Sequence, residues 1–411
     1  MANTLLTISM ITKEALMVLE NNLVFAKHVR RDFDDKFGVS GAKIGTTLNI
    51  RKPVRYMGRT GQGLQIEDAN ETFVPLSLTT QRGVDIAFSS QDLALSIDDF
   101  SKRFIKPAVA NIANMIDYDG LQQYLNIYNA IGTPGTVPNA LLTYLKAGQR
   151  LDEEAAPRDS ERALIINPGM QATIIDTLKG LFQSSTNIAD QYEKGTMGEV
   201  IGFKWSMDQN VGVQTVGTLG GAPQIAAAGP GAVAGVINTS GWTNAVLQRL
   251  NVGDTFTIAG VYAVNPQNRQ STGALRQFVV TAPGMSDGGG NMAIASSPAI
   301  ITAGPYQNVT AAPSANAGIV VGDSAGTESA AGGTVTPQGL AFHRDAFVVA
   351  CADLQLPGGV DMAGRVSDKQ VGFSIRLVRA YDINTDRFPC RLDVLYGWGT
   401  LYPELACRVQ S

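Results

Sequence analysis

Between residues 12 and 37 apolar side chains recur at three- and four-residue steps (Ala15, Leu16, Leu19, Leu23, Ala26, Val29), which predicts an amphipathic helix. Thr12 can cap it, Glu14 lies in its first turn and Gly38 ends it. From Gly41 to about Phe88 that period is lost. Short runs rich in β-branched residues, Thr46–Ile50 and Phe73–Leu78, flank a polar, glycine-bearing tip at Arg59–Gly63, a pattern that predicts a long two-stranded excursion. An isolated hairpin is marginal in water, so the excursion is expected to rest on something else, a second subunit being one candidate.

The helical period returns at Ser96, a capping residue followed by Asp98 and Asp99. Pro107 either kinks this segment or starts a second helix. Apolar positions from Ala108 to Tyr128 then carry the pattern on to Ile131, where Gly132-Thr133-Pro134-Gly135 stops it, giving a rod of roughly 35 Å at the helical rise. A further helix is expected over residues 138–155, a buried strand at Ala163–Ile166, and a helix from about Met170 to Phe182 after the Asn167-Pro168-Gly169 turn. At about Val216 the texture changes. The stretch 215–336 contains no lysine, few charges, and dense Gly, Ala, Ser, Thr and Pro, with strand patterns at Thr255–Tyr262 and Arg276–Val280. It reads as an inserted small β domain. The parent pattern resumes at Leu340–Phe347 and ends in strands around 371–381 and 391–396. The fold class is α+β.

Composition narrows the functional classes. A formal net charge of -4 excludes nucleic-acid binding by bulk attraction, which needs a basic footprint. No apolar run reaches the roughly 18 to 20 residues of a membrane span, and Met1-Ala2-Asn3-Thr4 does not open a signal peptide. The three cysteines, Cys351, Cys390 and Cys407, have the spacing of neither a disulfide framework nor a zinc site and are expected to be buried thiols. The two histidines, His28 and His343, lie in separate regions with no metal-ligand partner at helical spacing. No Walker loop, dinucleotide fingerprint or nucleophile elbow occurs, and Gly61-Gln62-Gly63 and Gly288-Gly289-Gly290 do not sit between a strand and a helix start. Adjacent carboxylates such as Glu153-Glu154 and Asp34-Asp35 are expected at solvated helix ends. No enzyme and no cofactor or metal site is expected. The cationic residues that stand out are Lys27, Arg30 and Arg31 on the first helix and Arg51, Lys52, Arg55 and Arg59 on the excursion.

This order of parts resembles that of tailed-bacteriophage major capsid (coat) proteins of the Hong Kong type fold. The segment Gly195-Thr196-Met197-Gly198-Glu199-Val200-Ile201-Gly202-Phe203-Lys204-Trp205-Ser206-Met207-Asp208-Gln209-Asn210-Val211 is similar to a recurrent glycine-turn-to-strand pattern of that family. Ala341-Phe342-His343-Arg344-Asp345-Ala346-Phe347 looks like its later return segment. The β-rich insertion is similar to that of the coat proteins of short-tailed Salmonella phages.

The resemblance implies an N-terminal arm helix over 1–40, an extended β-hairpin loop over 41–90, and a peripheral domain with a spine helix over 91–140. It further implies an axial domain over 141–215 with its return at 337–370, an inserted barrel-like domain over 216–336, and peripheral strands over 371–411. It also implies self-assembly through pentamers and hexamers into an icosahedral shell around double-stranded DNA, contacted nonspecifically. Scaffolding protein and portal would be partners, there is room for a decoration protein, and the locations would be the host cytoplasm during assembly and then the virion. The seven cations named above become candidates for intersubunit contact. A β-rich adhesin or tail-surface module is the alternative reading.

Overall fold

The computed structural model describes residues 15–17, 19, 23–32, 47–59, 61–64, 66–68, 71–89, 106–178, 198–226, 235–322, 329–368 and 372–411. The chain divides into two compact units. One comprises 1–51, 73–121 and 347–401, the other 52–72, 122–346 and 402–411.

The first unit is organised by the 14-residue strand Arg387–Thr400. Thr80–Ser89 pairs with it from Arg387 to Tyr396, Phe347–Ala352 from Leu395 to Thr400, and Phe373–Arg379 from Cys390 to Asp393, with Met362–Asp368 beyond. The expected excursion begins as a ladder between Thr47–Arg51 and Phe73–Ser77, with Thr47 opposite Ser77. Helix α1, Lys106–Leu121, buries Val109, Ile112, Ala113 and Ile116. The spine expected from 96 to 131 is therefore shorter within the described residues. The helix spans about 24 Å and tightens into a 3-10 turn at Gln122–Asn126. Ser96 and its acidic first turn lie outside the described residues.

The helix expected over 12–37 is likewise not continuous. Ala15–Met17 and Leu19 are helical, but Phe25–His28 forms a 3-10 turn and Arg30 bridges to Val348. Its donors explain this. The buried Asp117 carboxylate of α1 accepts the N–H groups of Val24 at 2.5 Å and Ala26 at 3.1 Å, so they do not serve helical carbonyls. Phe25 then stacks on Trp398 at 5.1 Å and meets Phe347 edge-on at 5.4 Å.

Gly120 lies beneath that ring pair, where an added Cβ would sit 2.6 Å from Trp398 and 2.7 Å from Phe25. Alanine is the better helix former by about 1 kcal/mol, but overpacking a boxed site costs about 1 to 3 kcal/mol. Gly120→Ala is therefore expected to lower stability in chemical denaturation. A stabilised variant would show that the rings are not held.

The second unit holds a mixed sheet and a barrel. The sheet runs Ala130–Ile131, Ala406–Gln410, Val335–His343, Arg162–Ile166, Phe203–Met207, Glu199–Val200, with Val213–Thr215 also pairing to Val335–Pro337. Its outer contacts, Ala130 with Arg408 and Ala163–Ile166 with Lys204–Met207, are parallel. Helices α2, Leu141–Glu153, and α3, Pro168–Leu178, contribute Tyr144, Ala147, Leu151, Met170 and Ile174 to a core with Leu164, Ile166, Cys407 and Val409. Ile201 and Gly202, both at positive φ, turn Glu199–Val200 back onto Phe203–Met207, placing Trp205 5.0 Å from Tyr144.

The insertion forms a six-stranded antiparallel sheet in the order Ile319–Val321, Thr255–Val264, Ser271–Val280, Met292–Ser297, Val236–Trp242, Gly221–Ile225. Its edges meet. Ile225 donates its N–H to Ala317 O and its carbonyl accepts from Asn316 N–H, both at 2.9 Å, closing a barrel. Phe256, Ile258, Phe278, Ile294 and Val309 fill the interior, so closure removes exposed strand edges and encloses an apolar core.

Candidate assembly surface

The excursion's stem continues from the ladder with Lys52, whose N–H donates to Thr72 O at 2.8 Å. Beyond it the chain meets residues remote in sequence. Lys52 Nζ lies 5.0 Å from the centre of the Tyr402 ring, and Arg55 Nη2 pairs with Glu404 Oε1 at 3.0 Å. The Arg55 guanidinium also lies 5.9 Å from the Tyr306 ring centre. Burial holds the Lys52 ammonium below the usual lysine range; Glu404 opposes that shift and Arg55 adds to it.

Further along, Arg269 donates through Nη2 to Tyr56 O at 2.7 Å and through Nη1 to Met57 O at 3.4 Å. Glu67 folds the tip back by accepting the N–H groups of Met57 at 2.6 Å and Gly58 at 2.8 Å. Arg59 donates to the carbonyls of Gly61 and Gly63. Large apolar side chains remain in solvent here, with Leu64 82% and Ile66 84% exposed.

The structure thus brings two of the candidate cations, Lys52 and Arg55, into one cluster. Arg59 is used within the tip, and Arg51 is exposed at the strand end. Lys27, Arg30 and Arg31 form a separate group in the other unit, where Arg30 Nε meets Asp32 at 2.7 Å and Arg31 Nη2 meets Lys27 O at 3.3 Å. Sequence reading missed Tyr306, Arg269, Tyr402 and Glu404. A salt-bridge partner 349 positions away leaves no local signature.

A second polar region lies where the barrel meets the mixed sheet. Strand Ala406–Gln410 buries Cys407 and Val409 among the helices, while Arg408 Nη1 donates to Gly253 O at 2.8 Å and Gln410 Nε2 to Thr255 Oγ1 at 3.4 Å. Arg408 is fully buried, and that burial pushes its guanidinium down to about 10. Nearby, Arg276 Nη1 of the barrel pairs with Glu154 Oε1 at 2.5 Å, and the guanidinium covers the Tyr128 ring at 4.5 Å. Glu154, expected at a solvated helix end, is buried instead. Burial raises its pKa, and the adjacent Arg276 pulls the other way.

An open cleft of about 800 Å³ lies between α2 and the Glu199–Phe203 turn. Its Asp152 carboxylate is engaged by Arg158 and Arg162, which hold it below the usual carboxylate range. His343 is buried with Nε2 3.1 Å from Asp159, and its Nδ1 accepts the Asp345 N–H at 3.2 Å. The three cysteines are free and buried, as expected. No cluster of three or more potential metal ligands occurs among the described residues, and none of their helices is long and apolar enough to cross a membrane.

Among solved structures, the chain is similar to one of Mycobacterium phage Che8 at 11% identity and a TM-score of 0.46, with 94% of this chain and 90% of that one covered. It is similar to the Ralstonia phage GP4 capsid at 9% identity and a TM-score of 0.43, covering 90% and 84%. Likeness to the mature capsid of bacteriophage PhiM1 is 12% identity at a TM-score of 0.39, covering 90% and 82%. No curated protein matches the chain. The sequence model described as P22 coat protein, gene protein 5, matches residues 1–409. A match over so much of the chain defines a structural major capsid protein of a bacteriophage virion, with the Hong Kong type fold and an inserted barrel. The chain belongs to the P22 coat protein family.

Proposed function

We propose that the subunits assemble through pentamers and hexamers into an icosahedral shell in the host cytoplasm, and that the excursion over 41–90 is the arm by which one subunit reaches the next. The observation that carries this is the excursion itself, a narrow ladder leading to a tip that leaves Leu64 and Ile66 in solvent. The arm over 1–40, the peripheral parts 91–140 and 371–411, the axial parts 141–215 and 337–370, and the insertion 216–336 are the proposed divisions. Scaffolding protein, portal, a decoration protein and nonspecific contact with packaged double-stranded DNA are the proposed partners. Catalysis is not part of the proposed role. Electron microscopy of the purified, concentrated protein is expected to show closed shells or capsomer-sized tubes; a protein that remains monomeric or forms only amorphous aggregate would overturn the reading.

Neutralising Arg51, Lys52, Arg55 and Arg59 together would test the arm only if all four were exposed. Lys52 is half-buried and Arg55 is paired with Glu404, so the informative variant is Arg51→Gln with Arg59→Gln. Exposed charges contribute about 1 kcal/mol or less to folding, yet they set encounter rate and register between subunits. The double variant is expected to stay folded by circular dichroism while forming fewer or misshapen shells. High salt should produce a milder version in the wild type, since screening acts within about 8 to 10 Å. Normal assembly by the variant would show that this stretch is not the intersubunit arm.

A further inference from the structure

The stem of the excursion is held by residues of its own chain, in a seat with a chemical character. Tyr402 and Tyr306 supply aromatic faces and Glu404 a carboxylate, which suits a segment carrying cations, and Lys52 and Arg55 are those cations. Within the seat Glu404 opposes the burial-driven lowering of the Lys52 pKa, so its carboxylate favours the charged form of the stem's lysine. Arg269 adds two donors that read the backbone carbonyls of Tyr56 and Met57. It does so from a left-handed conformation, φ 56°, where a non-glycine side chain carries a conformational cost. That cost is tolerated at a turn whose side chain clasps the stem. Beyond the clasp the apolar tip stays exposed.

We propose that the Tyr306, Arg269, Tyr402 and Glu404 seat is an intramolecular latch for the stem Lys52–Met57, occupied in the free subunit and vacated when the excursion reaches a second copy of the chain. The proposal rests on the reading of the excursion as an intersubunit arm. A latch of this kind keeps the apolar tip close to its own subunit and makes release a step before nucleation. Because its grip is an ion pair of limited burial, two ring contacts and two carbonyl hydrogen bonds, it is weak enough to open.

The test uses the full-length chain. Arg55→Lys places an amine opposite Glu404, and carbodiimide treatment of dilute, unassembled protein condenses that amine with the carboxylate to an amide, releasing water to the reagent. A mixture of light and heavy isotope-labelled subunits then distinguishes linkage within one chain from linkage between chains by mass spectrometry of the joined peptides. The expected product joins residues 55 and 404 of the same chain, with no mixed-isotope species. Glu404→Gln should remove the product and shorten the assembly lag by about two- to fivefold, the population change that one ion pair supports. Arg55→Gln should match it, with both variants folded by circular dichroism. No amide in the free subunit, an amide only between chains, or an unchanged lag in both variants would each overturn the latch. The cross-link needs no shells, so the latch falls with the amide, whereas the arm reading falls with the Arg51 and Arg59 variant.

Discussion

Glu154→Ala is expected to destabilise the protein by about 3 to 5 kcal/mol, the penalty for removing one partner of a buried ion pair. The charge left behind is Arg276, whose side chain is 3% exposed and whose Nη1 sits 2.5 Å from Glu154 Oε1. Tyr128 faces the guanidinium at 4.5 Å and cannot neutralise it, and Arg276 Nε already lacks a partner. The space left by the carboxylate can admit a water, but full hydration of the orphaned cation would need the barrel to shift away from α2. Nearby grips resist that shift: Gln277 Oε1 accepts the Ala130 N–H and its Nε2 donates to Ala130 O, both at 2.8 Å, and Asn265 Nδ2 donates to Glu153 O at 2.8 Å. Replacing both partners, Glu154→Leu with Arg276→Met, should recover most of the loss, because removing the pair together also removes its desolvation cost. Urea unfolding of the unassembled subunit measures all of this. A single variant within about 1 kcal/mol of wild type would mean that the site is hydrated enough to screen the charge.

Much of the local structure was legible because burial imposes a period. The Arg162–Ile166 strand and helix α2 lie close to where apolar spacing placed them, and the barrel hairpin Thr255–Val264 with Ser271–Val280 follows two β-rich runs around a polar turn. Errors arose where a remote group overrode the local pattern. Leu23, Ala26 and Val29 keep helical spacing and are buried, yet the chain there is not α-helical, because Asp117 takes two of its donors. The same limit hid the partners of the candidate cations. A run of arginines and lysines reads identically whether it is exposed or seated, and what seats Arg55 is Glu404, which only the fold brings near. The barrel was expected from the family resemblance and not from the residue pattern, since the Ile225 to Ala317 and Asn316 hydrogen bonds join a glycine-rich flank to a loop with no strand pattern of its own.

Excising the barrel should leave the parent domain folded while damaging shell assembly. The two crossings into the barrel are side by side. Val216 N–H donates to Thr334 O at 2.9 Å, Gly333 N–H donates to Val216 O at 3.0 Å, and Thr215 lies opposite Val335 in the ladder that remains. Residues 217–333 can therefore be replaced by a two-residue turn of Asn-Gly type without stretching the stem. The barrel takes its own core with it, Phe256, Phe278 and Ile294 included, while α2, α3 and the mixed sheet keep Tyr144, Leu164, Met170 and Val409. The sheet face uncovered by the excision carries Thr336, Gln338, Arg408 and Gln410, polar groups with atoms that lack partners when buried and would gain water. Glu154 likewise loses Arg276 but becomes solvated, so the large penalty expected for Glu154→Ala in the intact chain should not appear. Circular dichroism and urea titration should show one cooperative transition, and electron microscopy should show fewer or irregular shells, because an inserted domain is a rigid part of the subunit surface. Loss of cooperative unfolding would mean that the mixed sheet depends on the barrel for its core, which would refute the separation of the two.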